Sequence, residues 1–312
     1  MFEKIAQIIL GLFSFSRGTR LYSSLEFFIA DIIKIFLLLT IIIFVVSIIR
    51  SYLPPDRIRK FLAGKNSIFS SVVAALIGII TPFCSCSAIP LFLGFIEAGV
   101  PVGATFSFLI ASPMVNEVAL ILLLSMFGLK IALIYAGLGL LIAIISGLIL
   151  GKIGAEKWII NIETRELAHK TGQMAFKMRL IYAKNYTENI VKNVWIYIVI
   201  GVGIGAVVHG YVPVDYLSSI ASKNHWYAVP AAVLLGVPLY SNAAGIIPLI
   251  SVLTEKGVAI GTVLAFMMAV TGLSFPEFMI LKKVLRWQLL AIFIAIVTVG
   301  IIAAGYLFNA II

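Results

Sequence analysis

Two cysteines sit one residue apart in Thr81-Pro82-Phe83-Cys84-Ser85-Cys86-Ser87-Ala88-Ile89-Pro90, and the chain has no others. In extended backbone, residues i and i+2 share a face. Cys84 and Cys86 could therefore turn two sulfurs toward one soft metal ion or metalloid, since thiolates select thiophilic species such as Cu(I), Zn(II) or trivalent arsenic. Pro82 and Pro90 bracket the motif. Proline lacks an N–H and disfavours helix at the residue before it, so a non-helical stretch is expected between them. Ser85, Ser87 and freed backbone groups would then line a cavity, and the start of the following helix would attract anions and thiolates. The plainer reading is that both cysteines are small apolar fillers in a tight turn. A disulfide between them would close a very small, strained ring.

Two carboxylates form the next constellation. Ser112-Pro113-Met114-Val115-Asn116-Glu117 lies inside an apolar run. A carboxylate near mid-membrane costs about 2.5–3.5 kcal/mol on insertion scales, so Glu117 is expected to be compensated and suited to proton exchange. A structural glutamate, bonded to Asn116 or to broken-helix backbone, is the bland alternative. Ser274-Phe275-Pro276-Glu277 supplies a second carboxylate, expected opposite the first. An interfacial ion pair with Lys282 or Lys283 is its alternative. Asn116, Ser241 and Asn242 complete the polar candidates, with Pro238 and Pro248 as further breakers.

Residues of this kind need a scaffold, and composition says which. Of 312 residues, 62% are apolar and 12% charged, about half the charged share of a soluble domain. Mean hydropathy is +1.15. The excess apolar surface must face lipid. A cytosolic globular enzyme, a disulfide scaffold and a disordered tail are excluded. The net charge of +10 comes from short gaps between apolar runs, where basic residues act as topology signals and headgroup contacts. No aromatic-interleaved basic face suggests nucleic acid. No Walker A pattern is present.

Apolar runs fall at about 27–50, 68–96, 102–128, 130–151, 189–209, 227–253, 258–281 and 287–310, and six of the eight fit one crossing of roughly 20 residues. The runs 68–96 and 227–253 are interrupted in the middle by polar and helix-breaking residues. The expected organisation is an N-terminal interfacial segment (1–26), a first membrane repeat (27–151), a basic cytoplasmic linker (152–188) and a second repeat (189–312). Gly99-x-x-x-Gly103 matches Gly257-x-x-x-Gly261, Ile89-Pro90 matches Ile247-Pro248, and Pro82-Phe83-Cys84-Ser85-Cys86 matches Pro238-Leu239-Tyr240-Ser241-Asn242. The offsets stay between 156 and 160 residues, the mark of a duplicated unit.

Two topologies compete. Eight full crossings make the repeats parallel and leave 12 basic residues inside against 10 outside. If the two interrupted runs are re-entrant hairpins, each repeat has three full spans and the repeats are inverted. The balance becomes 16 inside against 6 outside, which the positive-inside rule favours. The expected fold is therefore all-α and polytopic: two inverted repeats, each with three full spans and one broken-helix hairpin.

The motif Thr81-Pro82-Phe83-Cys84-Ser85-Cys86-Ser87-Ala88-Ile89-Pro90-Leu91-Phe92-Leu93-Gly94-Phe95, with Glu97-Ala98-Gly99-Val100-Pro101, Ser112-Pro113-x-x-Asn116-Glu117 and Ser274-Phe275-Pro276-Glu277, resembles the predicted-permease family that includes ArsP organoarsenical efflux permeases and YraQ-type proteins. The resemblance implies a membrane permease. Carried over from the ArsP members, Cys84 and Cys86 would bind a trivalent arsenical.

The chain is thus expected to be a multi-pass secondary transporter of the cytoplasmic membrane and not an enzyme. It would export a thiophilic solute, such as a trivalent organoarsenical, by proton exchange. Its binding residues would be Cys84, Cys86, Ser85, Ser87, Asn116, Ser241 and Asn242, with Glu117 and Glu277 coupling protons. A sulfur-containing anion, a soft metal ion, a membrane thiol oxidoreductase and a channel are the rival readings. The expected partners are the solute and the bilayer, with a homo-oligomer allowed and no cofactor or nucleic acid.

Overall fold

The computed structural model describes residues 2–12, 19–52, 67–81, 85–97, 99–160, 176–211, 226–237, 257–282 and 284–311, with the single positions 246, 250, 253 and 254. Among these the chain is helical, with no strand. The first half holds α1 (Phe2–Leu12), α2 (Arg20–Tyr52), α3 (Ser67–Ile80), α4 (Ser85–Glu97), α5 (Val102–Met114) and α6 (Glu117–Lys152). The second holds α7 (Phe176–Tyr211), α8 (Ala228–Gly236), α9 (Ile260–Gly272), α10 (Phe275–Leu281) and α11 (Trp287–Ile311). Among the described residues, four segments are long and apolar enough to cross a bilayer: Leu21–Val45, Glu117–Lys152, Ile260–Leu281 and Trp287–Ile311.

Helix lengths carry the architecture. At 1.5 Å per residue, α3 and α4 reach only about 20 Å, short of a bilayer core of about 30 Å. The 36 residues of α6 would overshoot it at about 54 Å. Gly128 resolves this by leaving helical geometry at φ 80° and ψ 175°, a conformation that a side chain would resist. It divides α6 into a short leading segment and a full-length one.

The central helices are α5 and α9. Every residue of α5 is buried, and so is every residue of α9 after Ile260. Lipid removes the hydrophobic drive for helices to associate, so close packing through small residues must replace it. Gly78 lies against the Phe108 carbonyl on α5, and Gly236 lies against the Phe266 carbonyl on α9. Gly103 meets the Gly147 carbonyl, and Gly261 meets the Gly305 carbonyl. Each second contact repeats the first with both partners moved by 158 positions. The turn before each central helix repeats too. Gly99 and Gly257 have φ of 73° and 81°, and their N–H groups donate to Ile96 and Thr254 at 2.9 and 3.0 Å.

Equivalent helices pack against one another and run antiparallel. Tyr135 stacks on Phe308 with ring centroids 6.5 Å apart, and Ile142 packs on Gly300. Beyond the end of α6, Ile159 bridges to Leu285, just before α11, and the Ile160 N–H donates to Val284 at 2.7 Å. Numbers rise on one helix as they fall on the other. In α2 and α7, likewise, Phe28 lies near Gly203 whereas Phe44 lies near Thr187. Two contacts join a residue to its own equivalent: Met114 with Gly272 and Ile142 with Gly300.

The structure departs from the sequence expectations in three ways. Helix resumes at Ser85, and Pro90 lies within α4, so the stretch from Ser85 to Pro90 is not extended. Proline's fixed φ suits a helix; the N–H it withholds from the Cys86 carbonyl and the crowding of its ring there are costs that membrane helices tolerate. Secondly, the runs 102–128 and 258–281 are broken, at Val115-Asn116 and Leu273-Ser274. Thirdly, α7 begins at Phe176, so the boundary drawn at 188 falls inside a helix.

Candidate functional site

The two breaks inside the central helices are the candidate site. Their backbones match. Val115 has φ −121° and ψ 68°, Leu273 φ −138° and ψ 63°, and each returns its N–H four residues back, to Ala111 or Ala269. The next residues, Asn116 (φ −94°, ψ 160°) and Ser274 (φ −91°, ψ 142°), are extended and start new helices.

Their side chains do different work. The Asn116 Oδ1 accepts from the Ala119 N–H at 2.7 Å, and its Nδ2 donates to the Pro113 carbonyl at 3.2 Å. That is an N-cap which also closes the preceding helix end. Ser274 makes no such bond, and its buried Oγ has no hydrogen-bond partner among the described residues. Glu277 stands three residues after Ser274, the spacing of a capping box. The box does not close. Glu277 is 0% exposed, and neither carboxylate oxygen has a hydrogen-bond partner among the described residues. The Ser274 backbone N–H is close to the carboxylate but completes no hydrogen bond with it. Buried polar groups are nearly always paired, so an unpaired glutamic acid marks a point of function or strain.

Burial falls on the opposite carboxylate from the one emphasised by sequence. Glu117, the first residue of α6, is exposed. Nor are the two acids equivalent. The 158-residue register sets Glu117 against Phe275 and Glu277 against Ala119. The ion pair considered for Glu277 with Lys282 is not formed, and Lys282 is exposed.

A polar link joins the breaks. Tyr135, wholly buried, donates its hydroxyl to the Met114 carbonyl at 3.0 Å, an acceptor left over where α5 ends. The Thr271 hydroxyl is its other polar neighbour and donates to the Met267 carbonyl at 2.9 Å. Tyr135 and Thr271 were not singled out by sequence. Their only signal is a hydroxyl in the middle of an apolar run.

The helix bearing Glu277 packs against α4 and α7. The backbones of Ser85, Cys86 and Ser87 form the first turn of α4, so the cysteine motif and the buried acid are carried on touching helices. Pro82, Cys84, Pro238, Ser241, Asn242 and Pro248 lie outside the described residues. Among the described residues no cluster of three His, Cys, Asp or Glu could hold a metal ion.

Several membrane-length helices, glycine-packed around two broken central helices with a buried acid just past the second break, define a multi-pass membrane protein. The family profile described as ArsP_1, predicted permease, matches residues 20–310, and the chain belongs to that family. A Streptococcus mutans protein with the provisional name of a two-component membrane permease complex subunit is 27% identical over 250 residues, covering 79% of this chain and 81% of its own. UPF0718 protein MJ0584 of Methanocaldococcus jannaschii is 22% identical over 310 residues, covering 80% and 84%. UPF0718 protein YcgR of Bacillus subtilis is 27% identical over 125 residues, covering 39% and 42%. No solved structure matches.

Proposed function

We propose that this permease is a secondary transporter that exports a small thiophilic solute, with a trivalent organoarsenical as the first candidate, in exchange for protons. The observation that carries this reading is Glu277: a fully buried acid with no hydrogen-bond partner among the described residues, inside a membrane segment and beside a helix break. Ionisable groups held within a membrane mark ion or substrate pathways. A carboxyl with no fixed partner can take up and release a proton without breaking a structural bond.

Alternating access follows if the repeats are inverted. Antiparallel packing of equivalent helices supports inversion, as do the two contacts between residues and their own equivalents, since such contacts lie on a two-fold axis. The pairing of Ile160 with Val284 supports a common side for the basic linker and residues 282–286, which the eight-span arrangement would separate. One repeat would then rock against the other about the Met114–Gly272 contact. Cys84 and Cys86 would bind the solute at the start of α4, aided by Ser85, Ser87, Asn116, Ser241 and Asn242. Glu117, at the exposed start of α6, would serve as a second proton-exchange group. By analogy with the streptococcal relative's name, a second subunit could complete the transporter.

The test is flux of methylarsenite in proteoliposomes under an imposed pH gradient. The expected result is saturable, gradient-driven transport that Cys84→Ser and Cys86→Ser each abolish without loss of expression. Unchanged flux in both variants refutes the thiol assignment. Transport only of a sulfur oxyanion or a soft metal ion would replace the cargo and keep the mechanism. Cysteine labelling should find residues 53–65 and 282–286 on one side of the membrane; opposite sides would restore parallel repeats.

A further inference from the structure

We propose that the groove between α2 and α7 is a binding site for an anionic phospholipid. The groove has a volume of about 530 Å³ and is lined by Thr40, Ile41 and Phe44 on α2 and by Lys184, Thr187, Glu188, Val191 and Lys192 on α7. Its two walls are chemically unlike. Antiparallel packing sets an apolar stretch of α2, with Ile41 52% and Val45 46% exposed, level with the charged turns of α7.

Charge selects the sign of the ligand. Lys192 pairs with Glu188 at 2.8 Å. Lys184 is within electrostatic reach of the same carboxylate but closes no ion pair or hydrogen bond among the described residues. Two cations therefore share one anion at the rim. The hydroxyls in the wall are already committed, Thr187 to the Ala183 carbonyl at 2.7 Å and Thr40 to the Phe36 carbonyl at 2.7 Å. They add no demand for a polar ligand deeper in the groove.

An anionic headgroup can meet Lys184 and Lys192 while its acyl chain lies along Ile41, Phe44 and Val191. A free anion leaves the apolar wall bare, and a zwitterionic lipid leaves the surplus positive charge unmet. Basic recesses between membrane helices suit anionic headgroups. The site is separate from the Glu277 break and does not depend on its proposed role.

The experiment measures thermal stability and native-mass retention of the full chain in detergent with phosphatidylglycerol, phosphatidylcholine or inorganic phosphate added. A ligand of the folded state raises apparent stability. The expected result is a stabilisation specific to phosphatidylglycerol, with retained adducts. The exposed pair Lys184→Gln with Lys192→Gln should reduce both several-fold, whereas Lys152→Gln with Lys157→Gln should leave them intact. Equal melting of wild type and Lys184/Lys192 variant in phosphatidylcholine checks the fold. Should that variant melt earlier, the single substitution Lys184→Gln, which removes no ion pair, decides by the same reading. Equal effects of phosphatidylcholine, an equal effect of phosphate alone, or undiminished phosphatidylglycerol adducts in the lysine variants would overturn the proposal.

Discussion

The breaks at Val115-Asn116 and Leu273-Ser274 share a backbone and differ in chemistry. At the first, Asn116 satisfies groups on both sides of the interruption, and the nearby acid is exposed. At the second, the serine caps nothing, and the nearby acid is buried without a partner among the described residues. Duplication thus preserved the shape while the side chains diverged. One break is closed by its own side chain, and the other holds buried polar groups with no hydrogen-bond partner among the described residues. Sequence similarity between the two motifs hides this difference, because it pairs the acids by type and not by position.

The shared part of the comparison should break symmetrically, and with the largest effect. A Cβ at Gly103 would lie 2.8 Å from the Gly147 carbonyl, and one at Gly261 would lie 2.5 Å from the Gly305 carbonyl. Both obstacles are backbone. Gly103→Ala and Gly261→Ala should each cost about 1–3 kcal/mol, read as a fall in melting temperature. A large loss at only one would deny that the halves are packed alike.

The unlike part should break unequally. Asn116→Ala removes a working cap and should cost about 1 kcal/mol. Tyr135→Phe removes the bond to the Met114 carbonyl and should cost about 1 kcal/mol, with the apolar stack on Phe308 kept. Ser274→Ala has no hydrogen bond to lose, so its melting temperature should match or slightly exceed wild type. Equal losses for Asn116→Ala and Ser274→Ala would erase the distinction between the breaks.

Much of this organisation was legible before the structure. The Gly99 and Gly257 motifs fixed the repeat, because a left-handed turn and a glycine-packed helix leave a strong sequence trace. Membrane residence followed from composition. The central breaks were not legible because Val115 and Leu273 are apolar, and the few polar residues beside them, such as Asn116 and Ser274, do not end the apolar runs that contain them. Pro90 misled as a boundary marker, because it lies within α4 and not at its end. Burial of Glu277 was hidden because it depends on α4 and α7, helices far away in sequence.

The most direct measurement compares Glu277→Gln with Glu117→Gln in proteoliposomes across a range of pH gradients. Glutamine keeps the volume and removes the exchangeable proton. The account predicts that Glu277→Gln abolishes the dependence of transport on the gradient, while Glu117→Gln retains most of it. Gradient-driven transport that persists undiminished in Glu277→Gln would contradict the central role given to the unpaired acid at the second break.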